Sequence, residues 1–179
     1  MLRVFFRLRV EGLEYYPAGP AVIVANHPSA LDPLFIAAAV PERLLFVAAE
    51  EFTTQGAVGW AMRTYGCIPV RRGQVDLSAI RESLRALRDG RKVAVFPEGG
   101  ITPEPRPPHR GAALIAARAG VPLVPAAIRG TERVFPLGAR VPHPGPVRVR
   151  FGPPHPAPQD TAAAQETALA RAMAWVHRP

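Results

Sequence analysis

One histidine and one aspartate are spaced so that they could act together on a proton. The segment Val22–Asp32, VIVANHPSALD, begins as an apolar strand, and His27 follows at its tip. Pro28 keeps His27 extended, because a residue before proline avoids the helical region. Asp32 comes five residues after His27, at the predicted start of a helix, so the chain can fold back and bring its carboxylate to the imidazole. That contact would fix the tautomer of the ring and stabilise its protonated form, as a general base requires.

The chain offers no persuasive nucleophile of its own for such a base. Of its three serines, Ser78 and Ser83 lie on a predicted amphipathic helix, and no G-x-S-x-G elbow is present. Ser29 is too close to His27 in sequence, and Cys67 lies in an apolar run typical of a core strand. The simplest interpretation is that the substrate supplies the nucleophile, which means direct transfer of a group to a hydroxyl acceptor. A surface histidine beside a helix-capping aspartate is the alternative.

Two further segments end in residue types suited to a phosphate or a hydroxyl. In YGCIPVRR, a short apolar strand leads to Arg71 and Arg72, whose planar guanidinium groups suit bidentate contact with phosphate. In VAVFPEGG, an apolar strand is followed by Glu98, which could accept a hydrogen bond from a substrate hydroxyl, and by two glycines. The first of them, Gly99, lets backbone amides approach a ligand closely. Solvated arginines and an exposed glutamate at a strand–turn junction are the alternatives.

Short β-rich runs alternate with helical patterns, which predicts an α/β domain with a mostly parallel or mixed sheet covered by helices. The predicted strands are Phe6–Val10, Ala21–Ala25, Leu44–Ala48, Ile68–Val70, Val93–Phe96, Leu123–Ile128 and Val147–Phe151. Two prolines in Val121–Ile128, VPLVPAAI, predict that this strand lies at an edge of the sheet. We expect residues 1–179 to form a single domain, with functional groups where strands end.

Besides the helix that starts at Asp32, three helices are predicted, over Asp76–Asp89, Arg110–Ala119 and about Thr161 to His177. The first is the clearest, because apolar residues form one stripe and arginines occupy the opposite face. The stripe consists of Leu77, Ile80, Leu84 and Leu87. The arginines are Arg81, Arg85 and Arg88.

Composition excludes several classes of protein. The net charge of +8 favours phosphate, nucleic acid or anionic lipid, but aromatic residues near the basic ones are too few for a base-stacking surface, so no nucleic-acid partner is expected. Cys67 is the only cysteine, which excludes an internal disulfide and suits a reducing compartment. The histidines lack metal-ligand spacing, and no dinucleotide or nucleotide motif is present. Apolar runs fall short of the roughly 20 residues that span a bilayer, so we expect a soluble or peripheral protein.

Taken in order, four segments resemble the 1-acylglycerol-3-phosphate acyltransferase family of lysophospholipid acyltransferases. NHPSALD matches the family's H-x4-D motif, with His27 and Asp32 as the invariant pair. GCIPVRR matches its second motif, FPEGG its third and VPLVPAAI its fourth, so the resemblance spans residues 20–130. Each motif is short, but four in the right order and spacing make a specific signal.

The resemblance implies transfer of a fatty acyl group from acyl carrier protein or coenzyme A to the free hydroxyl of a lysophosphatidate-like acceptor. His27 would act as general base and Asp32 would orient it. Phosphate would be held by Arg71 or Arg72, and the acceptor site would be lined by Glu98 and Gly99. Neither a cofactor nor a metal is implied.

The third motif departs from the family in a way that concerns the head group of the acceptor. Ile101 stands where the family usually has an arginine that could contact phosphate, and His109 stands where it often has a lysine. Arg106 or Arg110 could share the phosphate-binding role instead.

We expect the protein to work in the cytoplasm, docked peripherally on the inner face of the cell membrane. Its first ten residues, MLRVFFRLRV, and the arginine face of the helix at 76–89 are the predicted docking surfaces. The same chemistry on an aminoacyl lipid or a glycolipid, a hydrolase, and a catalytically silent module that binds phosphate or lipid are the alternatives. The His27–Asp32 pair argues against the silent module, and the missing serine elbow argues against the hydrolase.

Overall fold

The structure is a computed structural model and describes residues 5–53, 60, 62, 64–71, 76–101 and 106–178. Seven strands in this part of the chain form one sheet in the order β1-β7-β6-β2-β5-β3-β4. They are β1 (Arg9–Glu11), β2 (Val22–Ala25), β3 (Leu45–Ala49), β4 (Cys67–Val70), β5 (Val93–Val95), β6 (Leu123–Arg129) and β7 (Arg148–Phe151). Each predicted strand is present, with ends shifted by up to three residues.

Five neighbouring strands, β4, β3, β5, β2 and β6, run parallel to one another. Strand β7 is antiparallel to β6, and β1 is parallel to β7, so the sheet is mixed. The predicted α/β fold class is therefore confirmed. The parallel arrangement brings the carboxyl ends of five strands to one edge of the sheet, where open α/β sheets carry their sites.

The helices connect and cover these strands. They are α1 (Asp32–Ala39), α2 (Glu50–Thr53), α3 (Leu77–Arg88), α4 (Gly111–Ala119), α5 (Thr131–Val134) and α6 (Ala162–Val176), with a short 3-10 helix at Leu13–Tyr15. Helix α3 begins where the Asp76 side chain accepts hydrogen bonds from two backbone amides, and α4 ends at Gly120, whose φ of 67° is left-handed. The stripe on α3 starts later than predicted, because Leu77 lies in the first turn and is 54% exposed.

Apolar side chains cover both faces of the sheet. On one face α3, α4 and α6 pack through residues such as Ile80, Ile115 and Leu169. On the other face α1 and α5 pack through Phe35 and Val134. Because both faces are covered, the inner strands are apolar throughout rather than alternating, and all four residues of β2 are buried.

The prediction that β6 is an edge strand was wrong, since it lies between β7 and β2. Pro125 is tolerated there because of where its nitrogen points. The Pro125 carbonyl accepts a hydrogen bond from the amide of Gly152, the residue after β7. Because the nitrogen and the carbonyl of a strand residue point to the same side, the Pro125 nitrogen also faces β7, where the β6–β7 pairing ends. The missing N–H of Pro125 therefore removes no ladder bond to β2.

Candidate active site

Strand β2 delivers His27 to the carboxyl edge of the sheet, and a buried asparagine fixes the strand tip. The Asn26 side chain donates to the carbonyl of Ile128 at 2.9 Å and accepts from the amide of Ile128 at 2.8 Å. These bonds continue the β2–β6 ladder one residue beyond the strand. Sequence reasoning gave Asn26 no role, although a buried amide at the end of an apolar strand was the available signal.

His27 and Asp32 are in contact, as their spacing predicts. His27 Nδ1 lies 2.9 Å from Asp32 Oδ2, and the same oxygen accepts from the backbone amide of Ser29 at 2.7 Å. Asp32 is fully buried at the first position of α1, whereas the His27 side chain is 15% exposed. Because the carboxylate occupies Nδ1, Nε2 is the nitrogen left to exchange a proton with a substrate.

An aromatic side chain stacks on the face of the His27 imidazole. The rings of His27 and Phe96 stack with centroids 4.1 Å apart and an interplanar angle of 19°. Phe96 directly follows β5, so the strand beside β2 supplies this contact. Stacking and the Asp32 contact restrain the ring in two directions. Phe96 is a second site residue that the sequence analysis missed.

Burial makes the Asp32 carboxylate harder to ionise. Burial raises its pKa above the usual range, and contacts with His27, Thr131 and Ser29 only partly offset that rise. Its second oxygen, Oδ1, makes no well-aligned hydrogen bond, and neither does the neighbouring Thr131 hydroxyl. A buried carboxylate with spare acceptor capacity gains from a proton on the imidazole beside it, because the imidazolium provides the missing charge.

Glu98 is buried, unlike the exposed glutamate considered as the alternative for it. It is only 4% exposed, so it is not a surface glutamate at a turn. Its Oε2 accepts the backbone N–H of His27 at 3.2 Å, and its Oε1 lies 3.2 Å from His177 Nε2. Burial raises the pKa of Glu98, and its contacts with His27 and His177 act against that rise. Glu98 thus positions the β2 tip, and its predicted contact with an acceptor hydroxyl stays a prediction.

The carboxyl-terminal helix brings His177 to this edge of the sheet. The guanidinium of Arg129, at the end of β6, donates to the carbonyls of Val176 at 3.4 Å and Arg178 at 2.9 Å. Gly152 leaves space for the Trp175 ring, which a Cβ would meet at 2.4 Å. The last turn of α6 is therefore held in place on both sides of His177. Sequence reasoning gave His177 no role, because the histidines lack metal-ligand spacing.

The glycine after Glu98 makes a close approach possible. Gly99 has φ +73°, and a Cβ there would lie 2.9 Å from the His109 ring. The amide of His109 donates to the carbonyl of Pro97 at 2.8 Å, which brings residue 109 back beside the turn. Only glycine fits this backbone and this neighbour without strain, so the turn and His109 form one unit of the site's rim.

Among the described residues, no contact links the arginines predicted to bind phosphate to His27. Arg71 is 62% exposed, and its Nε lies 3.5 Å from Asp76 Oδ2 at the start of α3. Arg110 is 53% exposed and lies 3.8 Å from Glu166 on α6. Arg72 lies outside the described residues. Their role in phosphate binding stays a prediction.

Neither alternative nucleophile is placed for reaction. Ser29 is 1% exposed, and its hydroxyl donates to the carbonyl of Phe135 at 2.9 Å. Burial raises the pKa of the Cys67 thiol to about 11, so it stays protonated at neutral pH. The part of the chain that the structure covers contains no group of three or more His, Cys, Asp or Glu side chains able to hold a metal ion. No helix among those same residues is long and apolar enough to cross a membrane.

Comparison with known proteins assigns this arrangement to a family. The acyltransferase family model matches residues 7–129. A chloroplastic 1-acyl-sn-glycerol-3-phosphate acyltransferase of Brassica napus, BAT2, is 32% identical over 143 residues, which cover 75% of this chain and 41% of that protein. The 1-acyl-sn-glycerol-3-phosphate acyltransferase of Pseudomonas aeruginosa is 30% identical over 175 residues, which cover 95% of this chain and 67% of the relative.

A solved structure gives the same result. The crystal structure of the 1-acyl-sn-glycerophosphate acyltransferase PlsC from Thermotoga maritima superposes with a TM-score of 0.73 at 25% identity. The match covers 96% of this chain and 73% of that one. The chain spans less than half the length of the plant relatives that it matches, 41% and 39%. With a family model over most of its length and a bacterial relative along nearly all of it, the chain belongs to the acyltransferase family.

Proposed function

We propose that this chain transfers a fatty acyl group from a thioester to the free hydroxyl of a 1-acylglycerol-3-phosphate, in phospholipid biosynthesis. The observation that carries the proposal is the 2.9 Å contact between His27 Nδ1 and Asp32 Oδ2 at the tip of β2. It leaves Nε2 of a restrained imidazole for the substrate. The names of the relatives support the choice of acceptor, since each is a 1-acyl-sn-glycerol-3-phosphate acyltransferase.

The chemistry needs no covalent enzyme intermediate. His27 Nε2 takes the proton of the acceptor hydroxyl while that oxygen attacks the thioester carbonyl. The Asp32 carboxylate stabilises the imidazolium that forms. The carbon–sulfur bond then breaks, the acyl group stays on the acceptor oxygen as an ester, and the imidazolium returns the proton to the departing thiolate. The sulfur leaves as the free thiol of coenzyme A or acyl carrier protein.

Binding of the acceptor head group is assigned to arginines at the same edge of the sheet. Arg71 directly follows β4, one of the five parallel strands, and is exposed, and Arg72 is the next residue in the sequence. Arg110 precedes α4 and is also exposed. A guanidinium can give a phosphate two parallel hydrogen bonds. Glu98 and Gly99 would border the acceptor through the backbone that they position. We place this reaction at the inner face of the cell membrane, where the acceptor and its diacyl product reside.

A transfer assay with purified protein tests the proposal. The donors are acyl-coenzyme A and acyl carrier protein thioesters, and the acceptors are lysophosphatidate, a neutral lysolipid, a glycolipid and an aminoacyl lipid. We expect ester product with lysophosphatidate, and loss of that product in the His27→Ala variant. Product with another acceptor alone would reassign the substrate. Free fatty acid without ester would indicate a hydrolase, and lipid binding without turnover would indicate the silent module.

A further inference from the structure

A closed loop beside the candidate active site exposes apolar side chains to solvent. It runs from residue 134 to residue 143, and its ends are joined by a hydrogen bond of 2.7 Å from the His143 amide to the Val134 carbonyl. A second bond, from the Ala139 amide to the Pro136 carbonyl at 3.0 Å, turns the chain within it. Loops of this length with joined ends are compact units rather than loose connections. We call it the 134–143 loop.

The side chains on this loop are unusual for a surface in contact only with water. Leu137 is 77% exposed and Val141 is 67% exposed, the highest values among the large apolar side chains of the described residues. Arg140 between them is also exposed. Arg133, one residue before the loop, is 88% exposed, and its Nε lies 3.6 Å from the Glu132 carboxylate. Exposed apolar side chains beside exposed arginines suit a partner surface that is both apolar and anionic.

The loop is fixed to the candidate catalytic segment. Its residue Phe135 accepts, through the carbonyl, the hydroxyl hydrogen bond of Ser29 at 2.9 Å, between His27 and Asp32 in sequence. The helix α5 that leads into the loop contains Thr131, which contacts the Asp32 carboxylate. A surface that receives the 134–143 loop would therefore lie next to His27.

From this placement we propose that the 134–143 loop docks on an anionic lipid bilayer, inserting Leu137 and Val141 while Arg133 and Arg140 contact lipid phosphates. The proposal rests on the proposed function, because that function places the acceptor in a bilayer. It differs from the docking surfaces expected from sequence. In the amino-terminal segment, residues 1–4 lie outside the described residues. Phe6 is 6% exposed and packs on the core, with its ring centre 5.2 Å from that of Phe35, whereas Phe5 is 49% exposed.

Vesicle co-sedimentation tests the loop without requiring catalysis. The probes are phosphatidylcholine vesicles with and without phosphatidylglycerol, at low and high salt. We expect wild-type binding that needs phosphatidylglycerol and weakens with salt. Leu137→Asp should lower binding by at least about tenfold, because a charge cannot enter the apolar layer. Replacing Arg133 and Arg140 together with glutamine should lower it by about tenfold or more on anionic vesicles only.

A matched control separates the loop from exposed leucines in general. Leu77, 54% exposed at the start of α3, lies outside the loop, so Leu77→Asp should leave vesicle binding unchanged. Equal binding by wild type and Leu137→Asp would overturn the proposal. So would a Leu137→Asp variant that binds vesicles normally but loses turnover with acyl carrier protein thioesters, since the loop would then receive the carrier protein. Loop-dependent vesicle binding without any acyl transfer would contradict the proposed function and leave the docking surface standing.

Discussion

Strand β5 joins two clusters of charged side chains that differ in how well their charges are matched. Before its amino end, Lys92 is 1% exposed, and its ammonium pairs with the Glu42 carboxylate and lies 4.8 Å from the centre of the Tyr16 ring. Beyond its carboxyl end, Glu98 and Asp32 are both buried and both contact His27, and each carboxylate keeps one oxygen without a well-aligned hydrogen bond. The amino-end cluster pairs a buried cation with a carboxylate, while the carboxyl-end cluster holds two buried carboxylates whose hydrogen bonds are incomplete.

The pKa values of the carboxyl groups move in opposite directions in the two clusters. Partial burial acts to raise the pKa of Glu42, but the contacts with Lys92 and Tyr16 and the charge of Lys92 outweigh it, and the pKa falls below its usual value. At the other end burial raises the pKa of Asp32 and of Glu98. The Lys92 pair therefore favours the folded state at neutral pH, while the two buried carboxylates oppose it. Residues that oppose folding in this way are expected at functional sites.

The largest expected effect is on activity, at the carboxyl end. His27→Ala should lower acyl transfer by about 10²–10⁴-fold, the range typical of a lost general base, with little change in the unfolding midpoint. His155→Ala is the control, because its backbone pairs with Leu123 at the amino end of β6. Initial rates with lysophosphatidate, at matched folding by circular dichroism, measure it. Activity within a few-fold of wild type would remove His27 from the mechanism.

At the amino end the expected effect is on stability instead. Lys92→Ala should lower the free energy of unfolding by about 2–4 kcal/mol, because it leaves a cavity and strips Glu42 of its partner. Turnover at a temperature where the variant is folded should stay near the wild-type value. Urea unfolding measures the change, and Arg88→Ala on the exposed face of α3 is the control, expected within about 0.5 kcal/mol of wild type. A strong loss of turnover in folded Lys92→Ala would show that the two clusters are coupled.

A smaller effect is expected from the histidine that contacts Glu98. His177→Leu should lower kcat by about tenfold without raising KM, because an unheld Glu98 positions the His27 amide less well. His177→Gln, which can still donate to Glu98, should recover most of the rate. Hydrogen exchange at the His27 amide should quicken in His177→Leu and not in His177→Gln.

A double-mutant cycle decides whether His177 acts through Glu98. In a Glu98→Gln background, His177→Leu should lower kcat by much less than it does in wild type. Equal losses in both backgrounds would give His177 a merely structural role at the end of α6.

Local patterns could be predicted from the sequence, whereas long-range contacts could not. The strand runs and the His27–Asp32 spacing are local, and the structure has all seven strands and a 2.9 Å contact at that pair. The contact from Glu98 to His27 crosses 71 residues, and the one to His177 depends on how α6 packs on the sheet. No periodicity encodes either of them. The position of β6 was mispredicted for a similar reason, since the direction of a proline nitrogen depends on which strand lies beside it.

The last prediction uses pH to test whether the carboxyl groups of the two clusters affect the free energy of unfolding in opposite directions. Burial raises the pKa of Asp32, so the folded protein holds that proton more tightly than the unfolded chain does. The favourable contribution is fully present below the unfolded pKa of about 3.9 and is lost as pH rises through the folded value. Asp32→Asn removes this loss, since an amide does not ionise. The variant should therefore be as stable as wild type at pH 7, or more stable by about 0.5–1 kcal/mol, although its acyl transfer falls steeply.

Measured across pH 4 to 8 by urea unfolding, the advantage of Asp32→Asn over wild type should grow as pH rises. Glu42→Gln should behave oppositely, because a lowered pKa contributes stability above the unfolded value that disappears as pH falls. Its deficit relative to wild type should therefore be largest at neutral pH and shrink towards pH 4. If both variants changed with pH in the same direction, the two clusters would not differ in sign. Ionisation of the carboxyl-end carboxylates would then affect stability as ionisation of Glu42 does. Incomplete pairing of charge could not then distinguish the candidate active site from the Lys92 cluster.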